Sequence, residues 1–206
     1  MDYLRDPSAI YAKSFAIIAA EAEIGHVPED ARNVAVRVIH ACGMTEIGAD
    51  LLISRDFVTA ATACLRARKP IIADSEMVKR GIIRLPPGVE TICTLNDERV
   101  HDIARARQTT RAGAAVELWE SHLAGALVAI GNAPTALFAL LEKLDAGSAR
   151  PAAIVAFPVG FVGATEAKRE LANETRSIPF ATLPGRRGGS AMAAAVVNAL
   201  VEEVTV

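Results

Sequence analysis

Asn33, Arg37 and His40 are spaced four and three residues apart, so on a helix they form one narrow polar stripe. The rest of that segment is Val34, Ala35, Val36, Val38, Ile39, Ala41 and Cys42, which leaves little of its circumference polar. Unpaired charge is costly in a dry interior, so the stripe faces either bulk water or a polar cavity, and composition alone favours water. An imidazole titrates near neutral pH and a neighbouring guanidinium is a permanent donor for a carboxylate, so the pair has the means to bind an acid and move a proton. Tyr11 and Ser14, three apart on a preceding helix, offer two hydroxyls from one face. Near the C-terminus, Pro184-Gly185-Arg186-Arg187-Gly188-Gly189-Ser190 runs into an apolar helix over residues 191–201. Backbone N–H groups and two arginines at a helix start suit a phosphate or carboxylate. The plainer reading is a flexible loop with a serine cap, and the Gly-Lys-Ser/Thr ending of a nucleotide-binding P-loop is missing.

Other chemistries find little support. His26, His101 and His122 show no paired metal-ligand spacing, and no G-x-S-x-G elbow is present, so neither a metal site nor an acyl-enzyme is expected. Seventeen of the 22 cationic residues are arginine. That bias suits two-pronged contact with carboxylates, and equally reflects the base composition of an Ala- and Arg-rich gene.

The elements that must position these residues read as alternating α and β. A helix covers residues 7–23, and Pro28-Glu29-Asp30 opens a second that carries 31–42 and stops at Gly43. Short apolar runs at 70–73, 91–94, 126–130 and 152–156 read as strands, alternating with helical stretches at 55–66, 75–81, 109–123, 134–145 and 165–173. Nearly all-apolar strands are expected where helices cover both faces of a sheet. The expected fold is α/β, a single-domain three-layer sandwich with a mostly parallel sheet, spanning residues 1–206 without a linker or repeat. Two strands run at once into turn chemistry, Gly131-Asn132-Ala133-Pro134-Thr135 and Phe157-Pro158-Val159-Gly160-Phe161-Val162-Gly163. Loops beyond the carboxyl ends of parallel strands hold ligands, so a site is expected there.

Composition narrows the partners. The chain has 206 residues, 51% hydrophobic and 22% charged, with a net charge of −2 and a mean hydropathy of +0.28. These values exclude disorder and give no basic field for nucleic acid. The N-terminus carries charges where an export signal is apolar, and the most apolar stretch, 151–164, is too short and too broken by Pro158, Gly160 and Gly163 to span a bilayer. Cys42, Cys64 and Cys93 are odd in number and far apart, which predicts reduced thiols and a cytoplasmic location.

Six blocks then occur together and in order: Tyr11-Ala12-Lys13-Ser14-Phe15; Val36-Arg37-Val38-Ile39-His40; Asp74-Ser75-Glu76-Met77-Val78 with Gly81-Ile82; Gly131 to Leu137; Pro158 to Ala164 with Glu166 and Lys168; and Gly185 to Ser190. In type, order and spacing they resemble the precorrin-8X methylmutase family, the isomerases of cobalamin (vitamin B12) biosynthesis, from about Tyr11 to Leu200. The resemblance implies migration of a methyl group from C11 to C12 of a corrinoid ring, converting precorrin-8X to hydrogenobyrinic acid, with no cofactor. It puts the catalytic histidine at His40 and substrate-binding groups at Ser14 and Arg37. Further substrate contacts are expected at Tyr11, Asp74, Met77 and Gly81, at Asn132, Ala133, Pro134 and Thr135, at Gly160 and Phe161, and at Arg186, Gly188, Gly189 and Ser190, with Arg111 as an extra anchor. A homodimer with the site near the interface is also implied, and one subunit of this size would struggle to enclose a corrinoid. The family acts on metal-free or cobalt-containing rings, and the metal-free substrate is the expectation here. Two rivals remain: a nucleotide-dependent enzyme using the 185–190 loop, and a corrinoid carrier without turnover. Tight product binding, with handover to a neighbouring pathway enzyme, is a further expectation.

Overall fold

A computed structural model describes residues 1, 3–173 and 176–205. In chain order its helices are α1 (Pro7–Glu21), α2 (Arg32–Cys42), α3 (Phe57–Arg66), α4 (Glu76–Gly81), α5 (Val100–Arg107), α6 (Arg111–Val116), α7 (Glu120–Leu123), α8 (Pro134–Asp145), α9 (Ala164–Ala172) and α10 (Ser190–Thr205). The strands are β1 (Leu52–Ile53), β2 (Ile71–Ala73), β3 (Thr91–Ile92), β4 (Leu127–Ile130), β5 (Ala153–Ala156) and β6 (Phe180–Thr182). They form one sheet in the order β1-β6-β5-β4-β2-β3, parallel throughout except for the β1–β6 pair.

The apolar runs that predict strands are apolar because both their faces are covered. Ile71, Ala73, Leu127, Ala129 and Val155 face one way, into a core with Val38, Phe57 and Val197 from α2, α3 and α10. Their neighbours Ile72, Val128, Ile130, Ile154 and Ala156 face the other way, against Trp119, Leu137, Leu140 and Ala167. Period-2 alternation therefore sorts large side chains between two cores, and each contributes about 1.5–3 kcal/mol by leaving water. The result is the expected three-layer α/β sandwich.

The Ala-rich α10 lies close against this sheet and the neighbouring helices. A Cβ on Gly131 would stand 2.8 Å from Ala193 Cβ, Ser190 Cα and Val78 Cγ2, and one on Gly81 would stand 2.8 Å from Ala194 Cβ. Both positions therefore need the missing side chain. Helix ends follow their local chemistry: Asp6 accepts from Ala9 N–H at α1, Ser75 from Val78 N–H at α4, and Gly43 closes α2 with φ 70°.

Some expected boundaries shift. The helix at 109–123 is three pieces: Thr110 caps α6, a 3₁₀ turn at Glu117–Trp119 follows, and α7 ends the run. The strand at 91–94 is reduced to Thr91–Ile92, and α1 ends at Glu21 rather than residue 23. The strands β1 and β6 and the helix α5 have no counterpart in the sequence reading. Among the described residues, no helix is long and apolar enough to cross a membrane.

Candidate active site

His40 sits in the last turn of α2 and Ser14 in the middle of α1, and Ser14 Oγ lies 2.9 Å from His40 Nδ1. Ser14 and Phe15 lie three and four positions after Tyr11, so all three project from one side of α1 onto the imidazole. Tyr11 stacks on the His40 ring at 5.2 Å between centroids and 29° between planes, whereas Phe15 meets it edge-on at 5.5 Å and 85°. The ring is thus held by one hydrogen bond and two aromatic contacts, and among the described residues Nε2 has no hydrogen-bond partner.

Arg37 lies one turn before His40. Its guanidinium carbon is 5.6 Å from the Tyr11 centroid and 5.2 Å from that of Phe15, and it pairs with Glu202 of α10. Arg37 Nε is buried without an acceptor among the described residues. The polar stripe consequently has two fates. Asn33 is exposed to water, while Arg37 and His40 are half-buried and line a cavity of 460 Å³ with Tyr11, Ile83, Arg84, Asn198 and Glu202.

A second cluster forms where the strands end. The Asp74 carboxylate, which follows β2, accepts N–H groups of Gly131 at 3.0 Å, Asn132 at 2.9 Å and Ala133 at 2.8 Å. Burial raises its pKa, while these three donors pull in the opposite direction. Asp74 is 2% exposed, so its carboxylate fastens the turn before α8 rather than lying open to a ligand. That turn then meets two others. Val159 N–H donates to Asn132 O, Gly160 N–H to Arg186 O at 3.1 Å, and Gly189 N–H to Phe157 O at 2.8 Å. A Cβ on Gly188 would stand 2.4 Å from Phe157 O, so the loops close up only around glycine. Lys168 of α9 is buried and donates to Arg187 O at 2.7 Å, and desolvation lowers its pKa to about 8. Arg187 in turn pairs with Asp50 at 2.6 Å.

The structure divides the sequence-predicted residues between these places. Tyr11, Ser14, Arg37 and His40 come together at the helical cavity. Asn132, Ala133, Gly160, Arg186, Gly188 and Gly189 come together in the loops, where Pro134 opens α8 and Ser190 opens α10. Thr135 Oγ1 lies 2.7 Å from Thr110 Oγ1, and Arg111 donates to Leu95 O and Asn96 Oδ1. Phe161 stands 84% exposed with Arg186 over its ring at 5.3 Å, and Met77 is 73% exposed. Gly81 joins the cavity side, because its carbonyl accepts from Asn198 Nδ2. The helix α10 links the two places: Ser190 begins it at the loops and Glu202 reaches the cavity, about 18 Å along its axis.

Sequence reasoning missed Glu202, Asn198 and Arg84. The signal was present for the first two, since Asn198 is the one polar residue in the run 191–201 and Glu202 stands four positions after it on the same helix. Ending that helix at residue 201 hid it. A further hollow of 530 Å³ lies beside β1 and β6. It holds no histidine, and its Arg176 is already tied to Asp145 and Glu170. Cys42, Cys64 and Cys93 are free thiols, and burial raises the pKa of Cys64 to about 11.

The fold and this cavity are those of an α/β enzyme with an imidazole held beside a cationic, aromatic-lined pocket. The sequence profile of the precorrin-8X methylmutase family matches residues 9–203. The chain is 52% identical over 201 residues to a precorrin-8X methylmutase of Sinorhizobium sp, covering 97% of this chain and 96% of that protein. It is 52% identical over 205 residues to one from Pseudomonas aeruginosa, with 98% and 99% covered. A cobalt-precorrin-8 methylmutase of Priestia megaterium is 34% identical over 197 residues, with 94% and 87% covered. A solved structure of a precorrin-8X methylmutase from Thermus thermophilus superposes with a TM-score of 0.85 at 36% identity over 96% of each chain. The chain belongs to the precorrin-8X methylmutase family and is an isomerase of that family.

Proposed function

We propose that the chain moves the methyl group of precorrin-8X from C11 to C12, giving hydrogenobyrinic acid, with His40 as the proton donor. The observation that carries this reading is the Ser14–His40 pair, which leaves the Nε2 edge of the ring for a ligand in the cavity shared with Arg37. The migration is a suprafacial shift within a conjugated ring: the bond from the methyl to C11 breaks as the bond to C12 forms, and the double bonds relocate. Protonating or strongly hydrogen-bonding a ring nitrogen near the migration terminus makes that carbon more electron-poor. His40 donates the proton from Nε2 and takes it back afterwards, so no net proton is consumed. Through the cycle Nδ1 keeps its own proton and stays paired with Ser14, donating to Oγ both from the charged ring and from the neutral ring left once Nε2 has given up its proton. Such a general acid contributes about 10²- to 10⁴-fold, and the rest of the acceleration comes from holding the ring in one geometry. Arg37 meets a peripheral carboxylate, and Tyr11, which lines the same cavity, lends it apolar surface.

The metal-free ring is favoured over the cobalt form by one observation, the higher identity to the two precorrin-8X methylmutases than to the cobalt-precorrin-8 methylmutase. The same reading takes the enzyme as a homodimer, supported by size and surface. A corrinoid with its acid arms exceeds 460 Å³, and Ile10, Tyr11 and Ile17 stand exposed on α1 beside the cavity, an apolar face suited to a second copy. The loop cluster, with Arg186 and the N-terminus of α10, would then grip further carboxylates. Tight product binding and handover to the next enzyme belong to the same reading. The test is to titrate hydrogenobyrinic acid into wild type and H40A while following the visible spectrum. A shifted bound spectrum in wild type that is altered or lost in H40A supports the assignment. No binding by either protein rejects it, and identical spectra remove His40 from the chromophore.

A further inference from the structure

We propose that Glu202 is an internal carboxylate that occupies Arg37 in the ligand-free enzyme and yields it to a carboxylate of the incoming corrinoid. The inference rests on the methylmutase reading of the His40 cavity, and it makes Glu202 a determinant of ligand affinity. The guanidinium is fixed from several directions: Tyr11 and Phe15 lie over it, its Nε is buried, and its Nη2 donates to Glu202 Oε2. Only 20% of the Arg37 side chain is exposed, so leaving it uncompensated in an empty cavity would be costly. Glu202 removes that cost from the last turns of α10, and its own side chain is 41% exposed. The carboxylate that is displaced therefore returns to water at little cost, while the ligand's carboxylate takes the more buried partner. Both residues line the same cavity as His40, so the exchange happens where the ring must sit. Arg84 gives that cavity a second cation, which leaves it attractive to a polyacid even while Glu202 is in place.

The proposal is tested by titrating hydrogenobyrinic acid into wild type, E202Q and E202D, with thermal melts confirming that all three fold. Glutamine removes the charge. Aspartate keeps the charge but withdraws it by one methylene from Arg37, so the two variants separate the pairing from simple repulsion. Both are expected to bind the acid about threefold to fivefold more tightly than wild type, the range set by no longer having to break a part-exposed ion pair. Affinity unchanged or weakened in E202Q overturns the proposal, and so does a gain in E202Q with none in E202D, which would mean general charge relief. Absence of binding by wild type and both variants is a different failure, because it removes the methylmutase reading itself.

Discussion

The helical cavity and the loop cluster are built on opposite principles. At the cavity, long side chains from α1, α2 and α10 reach across open space, and His40, Arg37 and Glu202 are all partly exposed. At the strand ends, backbone does the work: carbonyls and N–H groups of three loops bond to one another, and the charged groups inside, Asp74 and Lys168, are buried against that backbone. The proton transfer proposed for His40 needs room and access to a ligand. Loops that set a fixed outline need close approach, and glycine allows it.

Substitutions at the His40–Ser14 pair should therefore change rate, and those in the loop cluster stability or ligand affinity. The largest effect is expected for H40A, with turnover of precorrin-8X down about 10²- to 10⁴-fold and the melting temperature nearly unchanged. Equal losses in both would erase the contrast. Next comes G188A, whose new methyl would meet Phe157 O. It should cost about 1–3 kcal/mol in denaturant unfolding, with hydrogenobyrinic acid binding weakened through the loops. For S14A the loss of one hydrogen bond to the imidazole predicts about a twofold to tenfold lower kcat and a shifted pH–rate profile, with little change in KM.

The smallest effect concerns Lys168. Its pKa is about 8 in the folded chain against the ordinary 10.5, so above pH 8 the unfolded state holds a proton that the folded state has released. Stability then rises with pH across that interval, by under about 1 kcal/mol up to about pH 8.5. Unfolding of wild type and K168M across this range should show the gain in wild type alone. A parallel rise in K168M would assign it to another group.

Much of this arrangement was legible in the chain. The near-absence of polar residues at 127–130 and 153–156 follows from two covered faces, and a sheet with helices on both sides was the consequence. The spacing of Arg37 and His40 put them on one stripe, and the structure adds that the stripe leaves water partway along. The strand β6 was invisible because Phe180-Ala181-Thr182 is three residues long and follows Pro179. It exists because β5 offers it a parallel edge, and β1, at two residues, exists only because β6 does. The break at residues 116–120 was hidden by good helix formers on both sides.

Features that depend on residues within a turn or two can be read directly from the chain: helix faces, the cap at Gly43, the glycine loops and the Tyr11–Ser14 pair. Which of these meet depends on how distant segments pack. Ser14 and His40 are 26 residues apart, Asp74 and Asn132 are 58 apart, and Arg37 and Glu202 are 165 apart. Local periodicity records which way a side chain points relative to its own helix or strand. It carries no record of what stands opposite, because that is fixed by how the two helical layers close on the sheet and by where α10 runs between the loops and the cavity.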